Sequence, residues 1–99
     1  MEPHQIIEIA FTAYNVPAKD ALIVKRHGRI TPGYAQIAHA RYIVFSILIQ
    51  NPKWSYHDLA ALFKMDVKSV YTGIRRMQEC DIDSELFNKY SEVMNRIKK

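Results

Sequence analysis

The stretch "SYHDLAALFKMDVKSVYTGIRR", Ser55 to Arg76, holds two helical patterns separated by a short break, and how it is read decides the fold. Ser55, followed three residues later by Asp58, reads as a capping box with Asp in place of Glu. It opens a helix that buries Leu59, Leu62 and Phe63. Asp66 is the next start signal. Its carboxylate can accept the free amide hydrogens of the following turn and complement the helix dipole, leaving Lys64 and Met65 as a tight connection. At 100° per residue, Val67, Val70, Tyr71, Ile74 and Met77 fall in one arc of about 120°, the expected core-facing stripe. Lys68, Ser69, Thr72, Gly73, Arg75 and Arg76 occupy the opposite arc, with no acid until Glu79. A solvated helix face usually mixes both signs; this one suits phosphates and base edges.

A helix, a tight connection and a second helix with a basic outer face are the parts of a helix-turn-helix, whose second helix enters the major groove. Lys68, Ser69 and Thr72 stand near the start of that helix, within reach of bases, and Arg75 and Arg76 lie a turn later, where phosphates are nearer. The plainer alternative is a structural hairpin of helices with a solvated basic face.

Outward from this pair, "YAQIAHARYIVFSILIQ" (residues 34–50) is long and apolar enough for a central helix closed by Asn51 and Pro52. Its Ile and Val content also suits a strand, but no partner strand is visible. Trp54 is read as a hydrophobic staple over the next helix start, not as a platform for bases. Near the N-terminus, Pro3 suits a first helical turn, and Ile6, Ile7, Ala10, Phe11 and Tyr14 recur at helical spacing until "NVP" ends the pattern. Pro17 restarts the chain into a short helix with Ala21, Leu22 and Val24 inward, followed by the basic, glycine-containing "KRHGRITPG". The last helix begins at Asp83 or Ser84 and aligns Leu86, Phe87, Tyr90, Val93, Met94 and Ile97 on one stripe. The expected fold is all-α, a five- to six-helix single domain over residues 1–99 containing a helix-turn-helix.

Ninety-nine residues suffice for one independent core, and 48% hydrophobic with 24% charged residues is the balance of a globular chain, not a disordered one. The net charge of +4 is unevenly placed. From Lys19 to Arg76, ten Lys or Arg face three Asp, whereas residues 1–18 carry −2 and residues 77–99 carry −1. Anionic partners therefore belong to the middle of the chain. Cys80 is the sole cysteine, which leaves no intrachain disulfide and fits a reducing compartment. The longest apolar run, "YIVFSILI", is far short of the ~20 residues that span a bilayer, and "MEPHQ" lacks the positive start of a signal peptide. A cytoplasmic, nucleoid-associated protein without membrane contact is expected.

His4, His27, His39, His57 and Cys80 include no pair at the close spacing of a zinc motif, so no metal or other cofactor is expected. No Ser, His and acid grouping and no paired-carboxylate motif suggests catalysis, so no enzyme is expected. Arg41 aligns with Tyr34, Ile37, Phe45 and Leu48 on an otherwise apolar stripe. Two readings stand for it: a phosphate contact, or a snorkelling arginine paired with Asp58 or Asp66.

With these residues in view, "HARYIVFSILIQNPKWSYHDLAALFKMDVKSVYTGIRRM" resembles the C-terminal DNA-binding domain of the bacterial replication initiator DnaA, of the Trp-repressor-like helix-turn-helix group. "IIEIAFTAYNVPAKDALIVKR" is similar to that family's first two helices, and the Asp83 to Lys99 helix also has a counterpart. The resemblance implies double-stranded DNA binding, in replication initiation or transcription regulation. Asp66, Ser69 and Val70 match the family's recognition segment, and Arg41 matches an arginine on the DNA backbone. Ser55 opens the matching helix, and Lys25, Arg26 and Arg29 fall in the loop that approaches the minor groove. Met65, Val67 and Lys68 stand where the family has Arg, His and Thr, and one glycine of the turn is missing, which implies a different base preference. The chain holds no phosphate loop or ATPase module. The competing reading is a protein-interaction module that kept the fold and lost DNA reading, with a protein partner or a homodimer left open.

Overall fold

Among the described residues, 2–19, 34–81 and 84–98 of a computed structural model, five helices follow in chain order and no strand occurs. They are α1 (Pro3–Ala13), α2 (Tyr34–Leu48), α3 (Tyr56–Phe63), α4 (Val67–Glu79) and α5 (Glu85–Ile97). The fold class is the expected one. The short helix expected at Ala21, Leu22 and Val24, the Lys25, Arg26 and Arg29 loop, and Asp83 lie outside the described residues. A radius of gyration of 12.6 Å matches the ~13 Å of a compact domain of about 100 residues.

Local chemistry sets the helix ends. Pro3 occupies the first turn of α1, where its missing N–H costs nothing, and the Glu2 N–H donates to Gln5 Oε1 at 2.8 Å. At the other end Asn15 takes the left-handed conformation at φ 58°, and the Asn15 and Val16 N–H groups bond back to Thr12 O and Phe11 O. This double bond is a Schellman ending, and it explains why "NVP" stops the helix. Ser84 caps α5: its Oγ accepts from the Phe87 N–H at 3.1 Å and donates to Asp81 O at 2.7 Å.

α2 lies at the centre. Ile37, Ala40, Ile43, Val44, Phe45 and Leu48 are all buried, and the helix packs against α1 on one side and α4 on the other. A helix apolar nearly all round must be enclosed, which is also why its sequence resembles a buried strand. Phe45 meets Phe63 of α3 edge to face, with centroids 5.1 Å apart and planes at 89°. Phe11, Leu59, Val70 and Val93 complete the interior from the other four helices. Of the stripe expected on α5, Val93 is fully buried and Leu86, Phe87, Tyr90, Met94 and Ile97 are half-buried, as suits a helix laid against α1 at the edge of the domain. Among the described residues no helix is long and apolar enough to cross a membrane.

Candidate nucleic-acid interface

The α3–α4 pair is built from its two caps and the turn between them. The Ser55 Oγ accepts from the Asp58 N–H at 3.1 Å while the Ser55 N–H donates to Asp58 Oδ2 at 2.9 Å, the reciprocal box expected from the sequence. The bond from the Ser55 N–H holds the Asp58 carboxyl below its usual range, the Ser55 hydroxyl and the neighbouring His57 acting in the same direction against desolvation. Lys64 ends α3 in the left-handed conformation, φ 54° and ψ 50°. The Lys64 N–H then bonds Ala61 O and the Met65 N–H bonds Ala60 O, so three residues, Lys64 to Asp66, suffice to connect the helices.

Asp66 takes the extended backbone of an N-cap, but its side chain makes no cap hydrogen bond. This corrects the expectation that it accepts amide hydrogens of α4. The carboxylate is exposed and solvated, and the helix dipole favours a negative charge there without a direct bond.

The face of α4 turned to the core is also not the expected one. Val70, Gly73 and Ile74 are buried, Val67 and Met77 are half-buried, and Tyr71 stands 53% exposed. At 100° per residue the helix is turned by roughly 50° from the expected stripe, bringing Gly73 in and Tyr71 out. The cause is steric. A Cβ on Gly73 would lie 2.5 Å from Tyr42 Cδ1 and 3.0 Å from Phe45 Cδ2, so α4 rests against α2 at the one position without a side chain. Gly73 therefore leaves the outward face on which the sequence placed it. Tyr71 instead packs its ring on Tyr56 of α3, with centroids 4.2 Å apart and planes at 52°.

Lys68, Thr72, Arg75 and Arg76 remain together on the exposed side of α4, and Ser69 is half-buried beside them. Thr72 is exposed and donates its hydroxyl hydrogen to Lys68 O at 3.0 Å. Burial lowers the pKa of the His39 imidazole on α2, Glu85 opposes it, and Arg76 adds to the lowering. Arg41 is 3% exposed. It lines a surface hollow of about 300 Å³ with Met65, Asp66, Lys68, Ser69 and Thr72, so the structure brings six of the residues singled out in the sequence around one depression between α2 and the start of α4. Ser55 is exposed at the start of α3, its side chain engaged in the box. Lys25, Arg26 and Arg29 lie outside the described residues.

Among the described residues no group of three or more His, Cys, Asp or Glu is gathered as a metal site. Sequence reasoning missed one surface residue here, Tyr71. The signal that would have found it is Gly73, whose bare backbone marks where two helices touch. No protein-family model, curated protein or solved structure matches the chain.

Proposed function

We propose that the chain binds double-stranded DNA, with α3 and α4 acting as a helix-turn-helix and α4 seated in the major groove, in the manner of the initiator-type domain its residues resemble. The observation that carries this reading is the outward face of α4. Lys68, Thr72, Arg75 and Arg76 share it on a helix tied by a three-residue turn to a firmly capped partner.

On this reading the first turn reads and the later turns hold. Lys68 offers ammonium donors to guanine O6 and N7, and the exposed Asp66 carboxylate, which makes no cap bond, can accept from a cytosine amino group. The Thr72 methyl suits a thymine methyl, its hydroxyl hydrogen being spent on the helix. Arg75 and Arg76 neutralise phosphates, which makes affinity fall steeply with salt. The burial of Arg41 suits a role in shaping the hollow behind Lys68 and Ser69 more than a broad phosphate contact. Val67 and Lys68 in place of the family's His and Thr give a base preference different from the initiator's.

The test is selection of bound sequences from a random duplex pool, followed by titration of the enriched duplex across a salt series. An enriched site is expected, with a salt slope that falls by roughly one for Arg75→Ala and a preference relaxed at one base pair for Lys68→Ala. Absence of binding at low salt, with a protein partner co-purifying instead, would favour the interaction-module reading and reject this one.

A further inference from the structure

The exposed Tyr71 is the feature that the proposed reading leaves unused. It is the large apolar side chain that stands exposed among the described residues. A single exposed aromatic is ordinary on a protein surface, but two observations set this one apart. Its ring packs on Tyr56, the first residue of α3, with centroids 4.2 Å apart. It also sits three residues after Lys68 and four before Arg75, hence on their side of the helix.

The positions around α4 then have an order. Lys68, Thr72 and Arg75 lie along the middle of the exposed face, Arg76 lies on the flank near His39 of α2, and Tyr71 lies on the opposite flank, against α3. A helix in the major groove presents its middle to base edges and its flanks to the two phosphate walls. In a helix-turn-helix the first helix crosses the backbone, so the α3 side is the side of a phosphate wall. A tyrosine there has only two rotatable side-chain bonds, its ring already packed on Tyr56, and a neutral hydroxyl that can donate to a phosphate oxygen at little entropic cost.

Resting on the DNA-binding reading above, we propose that Tyr71, propped by Tyr56, is a positioning residue that donates its hydroxyl to a DNA phosphate on the α3 side of the groove and fixes the depth and register of α4. Being uncharged, this contact releases no counterion, so it strengthens binding without adding to the salt dependence.

The experiment compares the wild-type chain with Tyr71→Phe and Tyr71→Ala on one mixed-sequence duplex over a salt series, with phosphate-ethylation interference on the same duplex. Circular dichroism and melting show whether each variant is folded, and Tyr71→Phe keeps the ring on Tyr56, so its fold is expected to be unchanged. Expected is affinity roughly five- to tenfold weaker for Tyr71→Phe, an unaltered salt slope, and the disappearance of one interfering phosphate. Wild-type binding with Tyr71→Phe indistinguishable from it overturns this inference and leaves DNA binding standing. A loss seen with Tyr71→Ala but not Tyr71→Phe also overturns it, since the ring and not the hydroxyl would then make the contact. No wild-type binding at low salt removes both readings together.

Discussion

Gly73 of α4 and Tyr42 of α2 are in direct contact, backbone against ring: a Cβ added at Gly73 would stand 2.5 Å from Tyr42 Cδ1. This contact sets how far α4 is rotated, and through that rotation which residues of α4 face water. Gly73→Leu is expected to destabilise the domain by about 3 kcal/mol, because the side chain must displace Tyr42 and Phe45. Gly73→Ala is expected to cost less, since the ~1 kcal/mol gain in helix propensity offsets part of the overlap. Urea unfolding of the two variants checks both the order and the size.

The capping box gives a second prediction. Ser55→Ala removes the acceptor of the Asp58 N–H and is expected to cost about 1 kcal/mol, visible as a melting temperature lower by roughly 4–8 °C. The Asp58 carboxyl is held below its ordinary 3.8. A depressed carboxylate contributes stability that is present above its unfolded pKa and lost as pH falls through its folded pKa. Ser55→Ala removes the hydroxyl's share of this shift and keeps the larger share from the backbone N–H, so an acid titration of stability should be only slightly less steep below pH 3.8 than in the parent chain.

Lys64 holds a backbone conformation that residues with a Cβ adopt at a cost. Lys64→Gly is expected to stabilise the domain by about 0.5–1 kcal/mol, the relief of strain exceeding the extra freedom given to the unfolded chain. Denaturant unfolding decides it; a less stable Lys64→Gly would mean that the lysine side chain makes a compensating contribution.

His39 lies between the rings of Tyr14 and Tyr42, at centroid distances of 6.1 and 5.9 Å, and burial lowers its pKa from 6.5, Glu85 opposing and Arg76 assisting. The unfolded chain then binds a proton more readily than the folded one. Stability is full above about pH 6.5 and declines as pH falls from there to the lower folded pKa. Melting temperatures measured from neutral pH to about pH 5 should show this decline, and His39→Gln should flatten it. The decline begins near pH 6.5 for His39 and only below pH 3.8 for Asp58.

Among the described residues the buried Tyr14 hydroxyl has no hydrogen-bond partner, and burial raises its pKa above 10, with Glu85 and Cys80 adding to the effect. Removing an unsatisfied buried hydroxyl removes a desolvation cost. Tyr14→Phe is expected to leave the melting temperature unchanged or higher; a clear drop would show that the hydroxyl is satisfied in solution.

Much of this protein was legible in its sequence because it is governed by near neighbours. The Ser55–Asp58 box, the stop after Tyr14, the break between Phe63 and Val67 and the Ser84 cap each depend on residues within about a turn of one another, and the order of residue types states them. The basic side of α4 was legible for the same reason: Lys68, Thr72 and Arg75 share a face of any helix they form. The azimuth of α4 was not. Periodicity placed Tyr71 inside and Gly73 outside, because hydrophobicity ranks a tyrosine above a glycine and carries no information about which helix lies opposite. Only the docking of α4 on α2, where Tyr42 and Phe45 leave no room for a Cβ, turned the helix so that Gly73 is enclosed and Tyr71 stands against Tyr56 at the surface. The burial of Arg41 also depends on tertiary packing, since helical periodicity alone left it either at a phosphate or snorkelling to the surface. Local hydrogen bonding chose the elements, and close packing between elements distant in sequence chose which of their side chains can reach a partner.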